Sequence, residues 1–309
     1  MNICPITYKE CSDGKYSKEG LKLLSGKLID LKDIPYTSEE LLREASRRGI
    51  KMSIQGVQPK LSAKLNPAKS IFEIVDIGGD YIFKPQNNAY PELPENEDLT
   101  MRLAGLIGIE IPLHGLLYTK DEKFLYFIKR FDRFGKNKKI SVEDFAQLSG
   151  KSRDTKYESS MEKVVKVIRE FCTFPVIEGL KLFRLTLFNF IIGNEDMHLK
   201  NFSLIKRNNK VELSPAYDLL NTTIAIGTEV EEIALPIAGK KSNLNRKILF
   251  DYFGSEVLGL NESVLSGIVN QIKNSISEMD RIIGVSFLSP EMKKRYSELM
   301  HSRINILNL

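Results

Sequence analysis

The chain has 309 residues, of which 42% are apolar and 28% charged, and its formal net charge is +5 at pH 7. This length exceeds the size at which a single hydrophobic core usually keeps growing, so we expect two lobes. The ordinary globular composition excludes a disordered chain, and the mild positive charge permits anionic ligands without indicating nucleic acid binding.

Cysteine usage and hydropathy indicate the compartment. The three cysteines, Cys4, Cys11 and Cys172, suit a reducing environment better than a disulfide framework. Cys4 and Cys11 lack the further nearby Cys or His that a zinc site requires, which favours free thiols. The first residues do not resemble a signal peptide, and Arg184 interrupts the best candidate for a membrane span. We therefore expect a soluble, cytoplasmic protein without membrane association.

The first sixty residues combine turns with one clear helix signal. Thr37-Ser38-Glu39-Glu40 predicts a capping box that opens a helix ending at Gly49. The stretch 53–62 carries one glycine, Gly56, before Lys60, so it matches neither G-x-G-x-x-G nor a Walker loop. Small residues followed by a lysine could still cradle phosphate with backbone N–H groups, although local chemistry alone favours a plain surface turn.

A hairpin and a helix are predicted next. Residues 72–77 and 81–84 are β-rich and flank Gly78-Gly79, which predicts a tight hairpin. Prolines at 85, 91 and 94 keep the next segment extended, and a helix is predicted to start after Asn96 and to end at Gly108. Glu97 then lies in the first helical turn, where it is the candidate ion-pair partner of Lys84. Taken separately, each is equally an ordinary surface charge.

The next segments divide the chain into its two expected lobes. Residues 124–128 predict a strand that continues into Lys129-Arg130-Phe131-Asp132-Arg133, where a kinase-like chain would cross between lobes and contact adenine. Beyond Asp144 helices are predicted over residues 161–171, 178–192, 245–253, 263–283 and 290–307. A β-rich first lobe over 1–130 and a helical second lobe over 131–309 make an α+β fold.

The stretch 189–222 contains the candidate chemistry. An apolar helical run ends at Gly193, a natural helix C-cap, and a polar loop over residues 194–201 follows. Residues 202–205 and 211–213 predict a hairpin that returns Asp218 towards Asn201. Asp196 and Asn201 have the D-x-x-x-x-N spacing of the protein kinase catalytic loop, in which the Asp handles the proton and the Asn binds a metal with a later Asp.

That spacing alone is a weak signal, because Asp, Asn and His favour turns in any protein. The helix before the loop, the hairpin after it and the second Asp together favour a kinase-type site. Oxygen ligands such as Asn201 and Asp218 suit Mg²⁺, which usually takes one or two protein groups and completes its shell with phosphate and water. We therefore expect Asp196 to handle the proton and the other two side chains to bind Mg²⁺.

A series of motifs in chain order resembles the HipA-like serine/threonine kinase toxins. They are Ser-Ile-Gln-Gly-Val-Gln-Pro-Lys at 53–60, Tyr-Ile-Phe-Lys-Pro at 81–85, Asn96-Glu97, Lys129-Arg130-Phe131-Asp132-Arg133, Asn194-x-Asp196-x-His198-x-x-Asn201 and Pro215-x-Tyr217-Asp218. The match runs from about residue 50 onward. The length is similar to the short HipT form of three-component HipBST systems. In those systems a separate small protein, HipS, is similar to the extra N-terminal subdomain of the longer HipA proteins.

The resemblance implies an ATP- and Mg²⁺-dependent kinase with a two-lobed, protein-kinase-like fold. Asp196 would be the catalytic base, with Asn201 and Asp218 as Mg²⁺ ligands. The ATP-binding residues would be Gly56, Lys60, Lys84 oriented by Glu97, the hinge residues Lys129 and Phe131, and His198. Ser53 would contact the nucleotide and be autophosphorylated. HipT relatives can carry a second serine at the position of Gln55, so double phosphorylation is not implied here.

The resemblance also implies partners. These are a HipB-like DNA-binding antitoxin, through which any DNA contact would be indirect, a HipS-like small protein, and an aminoacyl-tRNA synthetase as substrate. Two other classes of protein remain open. A catalytically silent co-repressor is disfavoured by the intact set Lys84, Asp196, Asn201 and Asp218. A small-molecule kinase, such as an aminoglycoside or lipid kinase, shares the two-lobe plan but is disfavoured by the loop motif and Ser53.

Overall fold

The computed structural model describes residues 2–49, 59–135, 138–152, 154–227 and 231–309. The predicted site residues Ser53 and Gly56 lie outside these ranges. The chain divides into two compact units that interleave along the sequence. Unit 1 comprises Met1–Leu99, Pro112–Asn137 and Gly284–Leu288, and unit 2 comprises Thr100–Ile111, Lys138–Ile283 and Ser289–Leu309. Within the described ranges, no helix has the length and apolar character needed to span a membrane.

Unit 1 is built on a five-stranded antiparallel sheet. Its elements are β1 (Asn2–Ile3), β2 (Glu10–Cys11), α1 (Lys18–Leu24), α2 (Ser38–Gly49), β3 (Leu61–Asn66), β4 (Ile71–Ile74), β5 (Tyr81–Lys84), the first part of α3 (Leu93–Leu106), β6 (His114–Tyr118), β7 (Phe124–Lys129) and β8 (Arg133–Phe134). The sheet order is β4-β3-β5-β7-β6, and β1 pairs with β2. Apolar side chains of the sheet and of the N-terminal segment form one buried core.

The predicted hairpin between residues 72–77 and 81–84 is wrong. β4 pairs with one edge of β3 and β5 pairs with the other, so β3 separates the two runs. Leu61 of β3 is fully buried, although the local chemistry of residues 53–62 favours a surface turn, and Ala63 of the same strand is fully buried as well. The connection from β4 to β5 passes close to β3, because a Cβ on Gly79 would lie 2.1 Å from the Ser62 hydroxyl oxygen. The glycines therefore permit a crossing over β3 instead of a two-residue turn.

The capping residues and a proline explain where helices α2 and α3 of unit 1 begin. The predicted capping box of α2 is confirmed, since the Thr37 N–H donates to the Glu40 carboxylate at 2.8 Å and the Glu40 N–H donates to the Thr37 hydroxyl at 3.2 Å. The predicted start of α3 is wrong, because the helix already begins at Leu93. Pro94 occupies its first turn, where a missing N–H costs no hydrogen bond. Glu97 consequently lies in the second turn.

Unit 2 is mainly helical and contains a three-stranded antiparallel sheet in the order β10-β11-β12. Its elements after α3 are β9 (Lys138–Lys139), β10 (Val142–Asp144), α4 (Phe145–Leu148), α5 (Met161–Phe171), α6 (Pro175–Ile192), a 3₁₀ turn (Leu199–Asn201), β11 (Ser203–Arg207), β12 (Lys210–Leu213), α7 (Thr222–Ile226), a π-helix (Lys247–Val257), α8 (Glu262–Val285) and α9 (Pro290–Ile306). The predicted helices are thus present, with a π-helix in place of the α-helix expected over 245–253.

Two features of unit 2 position the polar loop. Helix α6 is almost wholly buried over its second half and ends at Gly193, whose φ of 70° is left-handed. The loop then runs into the predicted hairpin of β11 and β12, which is confirmed by the register Leu204↔Leu213. Its turn residues Asn208 and Asn209 have φ of 48° and 61°, as a type I′ turn requires. The loop is therefore held between a buried helix and a regular hairpin.

Candidate active site

The start of the polar loop is fixed to the N-terminus of α7. The Thr222 hydroxyl donates to the Gly193 carbonyl at 3.1 Å and accepts from the Glu195 N–H at 2.7 Å. The Thr223 hydroxyl donates to the Glu195 carboxylate at 2.5 Å. These bonds satisfy the buried polar groups where α6 ends. They leave the loop backbone little freedom in front of Asp196.

Asn194 holds the next peptide from inside the loop. Its amide nitrogen donates to the Asn189 side-chain oxygen at 2.9 Å, and its own oxygen accepts from the Asp196 N–H at 3.1 Å. Asn194 is 1% exposed, whereas Asp196 is an exposed residue. The buried side chain of Asn194 thus fixes the backbone of Asp196, while the Asp196 carboxylate faces solvent. This arrangement suits a carboxylate that must contact an incoming substrate.

Tyr157 contacts this carboxylate. Its hydroxyl donates a hydrogen bond to Oδ1 of Asp196, and its ring lies edge-on to His198 with centroids 5.0 Å apart. Burial raises the pKa of Tyr157, and the hydrogen bond to Asp196 raises it further, so the hydroxyl keeps its proton at neutral pH. No pattern in the sequence indicates this residue, because a single tyrosine in a polar turn matches no motif.

His198 is a neutral, buried group within the loop. It is 6% exposed, and its Nδ1 finds no hydrogen-bond partner within the described ranges. Burial lowers its pKa and Lys156 opposes protonation as well, whereas Asp196 and Asp218 favour it; the net shift is downward. An unpaired ring nitrogen at this depth is costly in a finished fold. It suits a position where a ligand is to be bound.

Asn201 and Asp218 are the candidate metal ligands. Asn201 is 7% exposed and lies in the 3₁₀ turn, where its N–H donates to the His198 carbonyl at 2.9 Å. Asp218 has a left-handed backbone with φ of 56°, which Asp and Asn adopt more readily than other non-glycine residues. Since both Asp196 and Asp218 influence the charge of His198, the two carboxylates share its surroundings.

Tyr217 ties the segment of Asp218 to the end of the loop. Its hydroxyl donates to the Lys200 carbonyl at 3.0 Å and accepts from the Ser203 hydroxyl at 2.5 Å. Burial raises the pKa of Tyr217, so this hydroxyl also remains protonated. Tyr217, which directly precedes Asp218, is thus hydrogen-bonded to Lys200, which directly precedes Asn201.

The donor set near the loop fits magnesium better than a softer metal. Among the described residues no group of three or more His, Cys, Asp or Glu is suited to hold a metal ion. One amide oxygen from Asn201 and one carboxylate from Asp218 are hard oxygen donors. Mg²⁺ commonly takes such a small protein share and fills its octahedron with phosphate and water.

A buried ion pair lies in unit 1. Lys84, at the end of β5, binds the Glu97 carboxylate of α3, and each side chain is 3% exposed. The Lys84 ammonium also lies 5.5 Å from the ring centroid of Tyr126, its neighbour on β7. Next to Glu97 in sequence, Asp98 binds Nδ1 of His114 at 2.8 Å. The strand lysine is therefore oriented by the helix glutamate within a buried polar cluster.

The other predicted nucleotide-binding residues lie elsewhere in unit 1. Lys60 precedes β3, Lys129 is the last residue of β7, and Phe131 lies in the turn that follows. The Lys129 N–H donates to the Leu113 carbonyl at 2.7 Å, and its side chain is exposed. The structure thus groups the predicted residues into one set in unit 2, around the loop, and one in unit 1, around Lys84.

The fold and these two groups of residues define the class of protein-kinase-like proteins. A strand lysine paired with a helix glutamate and a D-x-x-x-x-N loop followed by a second Asp are features of that class. The family model described as HipA-like C-terminal domain matches residues 52–279. The chain belongs to this family.

Curated relatives agree with the family. A Haemophilus influenzae protein with a provisional name as a kinase is 28% identical to this chain over an alignment with a length of 350 residues. The alignment covers 100% of this chain and 98% of that protein. The serine/threonine-protein kinase toxin HipA of Shewanella oneidensis is 30% identical over 190 residues, which cover 55% of this chain and 43% of that protein. These relatives show homology to kinases, including a HipA toxin kinase.

Solved structures confirm the expected α+β, protein-kinase-like fold. HipA of Shewanella oneidensis, in a complex with HipB and its operator DNA, has a TM-score of 0.70 at 22% identity and covers 91% of this chain and 73% of that one. The Helicobacter pylori proinflammatory kinase CtkA has a TM-score of 0.54 at 14% identity and covers 74% of this chain and 87% of that one. At these identities the likeness concerns the fold.

Proposed function

We propose that this chain is an ATP- and Mg²⁺-dependent serine/threonine protein kinase that acts as a bacterial toxin in the cytoplasm. The observation that carries the proposal is the exposed Asp196 on a loop whose backbone is fixed by buried side chains, with His198 and Asp218 in its surroundings. Phosphoryl transfer relies on positioning and on charge stabilisation and needs little covalent chemistry from the protein. A rigid loop with one exposed carboxylate meets that requirement.

Each of the candidate site residues in and near the loop has a role in this proposal. Asp196 orients the acceptor hydroxyl and accepts its proton. Asn201 and Asp218 hold Mg²⁺, which neutralises phosphate charge when bound. His198 is neutral and uses its unpaired ring nitrogen towards the phosphates. In unit 1, Lys84 contacts the ATP phosphates and Glu97 fixes its direction.

The remaining roles rest on the resemblance. Gly56 and Lys60 belong to the loop over the phosphates, and Lys129 and Phe131 supply the adenine hinge. Ser53 is the autophosphorylation site. The partner is a HipB-like antitoxin, a proposal supported by the Shewanella oneidensis complex of HipA with HipB and operator DNA. The short HipT type, a HipS-like protein and an aminoacyl-tRNA synthetase substrate complete the proposal.

Thermal shift and intact mass test the proposal together. ATP with Mg²⁺ should raise the melting temperature of the wild type by mass action, and Asp218→Asn should lose the Mg²⁺-dependent part of that shift. On incubation with ATP and Mg²⁺, alone and with purified aminoacyl-tRNA synthetases, the wild type should transfer phosphate and carry it on Ser53. Asp196→Asn should keep the thermal shift and transfer no phosphate.

The matched control is Asp251→Asn, which removes an exposed carboxylate elsewhere in unit 2 and should behave as wild type. A wild type without a thermal shift by ATP and Mg²⁺ would contradict the kinase assignment. Phosphate transfer by Asp196→Asn at the wild-type rate would move the base to another residue. Phosphate on a site other than Ser53 would remove only the autophosphorylation assignment.

A further inference from the structure

We propose that Tyr157 is a positioning residue for phosphoryl transfer: its hydroxyl holds one oxygen of Asp196 so that the other oxygen faces the acceptor. This inference rests on the proposed kinase function and adds a residue to it. Tyr157 lies 39 positions before Asp196 and outside every motif of the sequence, but the fold brings its hydroxyl to the candidate base.

The side chain of Asp196 needs a partner to fix its rotation. The backbone of Asp196 is fixed by Asn194, but the residue is exposed, and an exposed carboxylate can rotate. A carboxylate offers about four lone-pair positions over its two oxygens, so a single donor on Oδ1 leaves Oδ2 open. Hydrogen bonds to an ionised carboxylate are also stronger than those between neutral groups. Tyr157 therefore restricts rotation without occupying the whole base.

Tyr157 is itself held in place by the loop residues around it. Its ring packs edge-on against His198 at 5.0 Å, with an interplanar angle of 79°. The carbonyl of the preceding residue, Lys156, accepts from the Leu199 N–H at 3.3 Å, and the Lys156 ammonium lies 4.8 Å from the Tyr157 ring centroid. The turn that carries Tyr157 is thus attached to the polar loop through both backbone and side chain.

The Tyr157 hydroxyl stays a hydrogen-bond donor. Burial and the hydrogen bond to Asp196 both raise the pKa of Tyr157, so it does not become a phenolate near neutral pH. A neutral donor leaves the carboxylate its negative charge and its capacity to accept the proton of the acceptor hydroxyl. This distinguishes Tyr157 from a lysine or arginine, which would neutralise the base.

Tyr157→Phe tests the inference, because it removes the hydroxyl and keeps the ring against His198. With ATP, Mg²⁺ and the chain as its own acceptor, the rate of phosphate incorporation should fall between about 10-fold and 100-fold, as for a misplaced catalytic group. The ATP concentration for half-maximal rate and the thermal shift by ATP and Mg²⁺ should not change. The control Tyr252→Phe removes a hydroxyl that binds Glu162 at 3.3 Å and should leave all three quantities unchanged.

The outcomes separate the inference from the function it rests on. If the wild type transfers phosphate and Tyr157→Phe transfers it as fast, Tyr157 is no positioning residue, although the kinase assignment stands. If Tyr157→Phe transfers phosphate faster than the wild type, the hydroxyl inhibits the base and does not position it. If the wild type carries phosphate on Tyr157, the hydroxyl is a phosphate acceptor. Each of these two results overturns the inference. A lower melting temperature with a raised ATP requirement would indicate a merely structural role. Inactive wild type contradicts the function itself.

Discussion

At the scale of single residues, the Lys84–Glu97 pair combines a structural cost with a proposed role. Both side chains are 3% exposed, so neither charge is solvated by water. A buried pair of this kind is weak support for stability as such, because desolvation offsets much of the attraction. Loss of one partner is different, since the charge that remains buried loses the opposite charge it binds.

Lys84→Met should therefore lower the free energy of unfolding by about 3–5 kcal/mol and abolish phosphate transfer. The double variant Lys84→Met/Glu97→Leu should recover most of that free energy, because both charges of the pair are then absent, and should remain inactive. Denaturant unfolding measures the stability and intact mass measures the transfer. Lys64→Met, at an exposed position of β3, is the control. A double variant no more stable than the single one would assign the loss to packing.

The residues of the candidate site differ in how far sequence reveals them. Asp196 and Asn201 are close in sequence, and Asp218 follows after a single hairpin, so spacing is sufficient to propose them. Lys84 and Glu97 also lie within one strand-to-helix connection. Tyr157 could not be found in this way. Its contact with Asp196 depends on how the turn before α5 folds back, and no local periodicity encodes that contact.

At the scale of elements, the end of α6 decides where the loop begins. Gly193 has left-handed φ, and a Cβ at this position would lie 2.5 Å from Leu299 Cδ2 and 2.8 Å from the Thr223 hydroxyl oxygen. Two separate demands, backbone conformation and space, thus fall on one residue. The hydrogen bonds of Thr222 and Thr223 to the loop depend on that close approach.

Gly193→Ala should lower the free energy of unfolding by about 2–4 kcal/mol, because left-handed strain and overpacking add. Gly259→Ala is a matched control. Gly259 is also left-handed, at φ +75°, but no neighbouring atom of the described residues would lie within 4 Å of a Cβ at this position. It should cost about 1–2 kcal/mol, the conformational part alone. Chemical denaturation of both variants gives the comparison. Equal losses would show that the close approach to α9 and α7 contributes nothing.

The elements also show which part of a fold local sequence encodes. The bounds of α5 are predicted to the residue, because amphipathic periodicity repeats along its whole length. The place of β3 is not predicted, since strand order depends on pairing between distant segments and not on the strand's own residues. The Gly78-Gly79 signal was real but ambiguous: two glycines permit a tight turn and a close crossing alike.

At the scale of the whole molecule, the two units share one chain in alternation. Unit 1 includes Gly284–Leu288, which lies between segments assigned to unit 2. Within unit 1, the Phe287 ring packs against Tyr8 at 5.3 Å and against Phe124 at 4.8 Å. A segment near the C-terminus therefore completes the aromatic packing of the N-terminal unit.

Phe287→Ala should lower the stability of unit 1 by about 1–3 kcal/mol, less than for a fully buried ring because Phe287 is half-buried. Hydrogen exchange of the β6 and β7 amides should accelerate accordingly, while the amides of α6 should be protected as before. Phe171→Ala, at a ring that is 39% exposed in unit 2, is the control. Unchanged exchange in β6 and β7 would mean that Phe287 only covers the surface.

The position of Phe287 also bears on the time course of synthesis. A ribosome extends a chain by about 5–20 residues per second, and domains usually fold as they emerge. The contacts of the Phe287 ring with Tyr8 and Phe124 can form only after residue 287 has been translated. Most of unit 2, from Lys138 to Ile283, precedes Phe287 in the chain, so the N-terminal unit completes its aromatic packing only after the ribosome has made that part of unit 2.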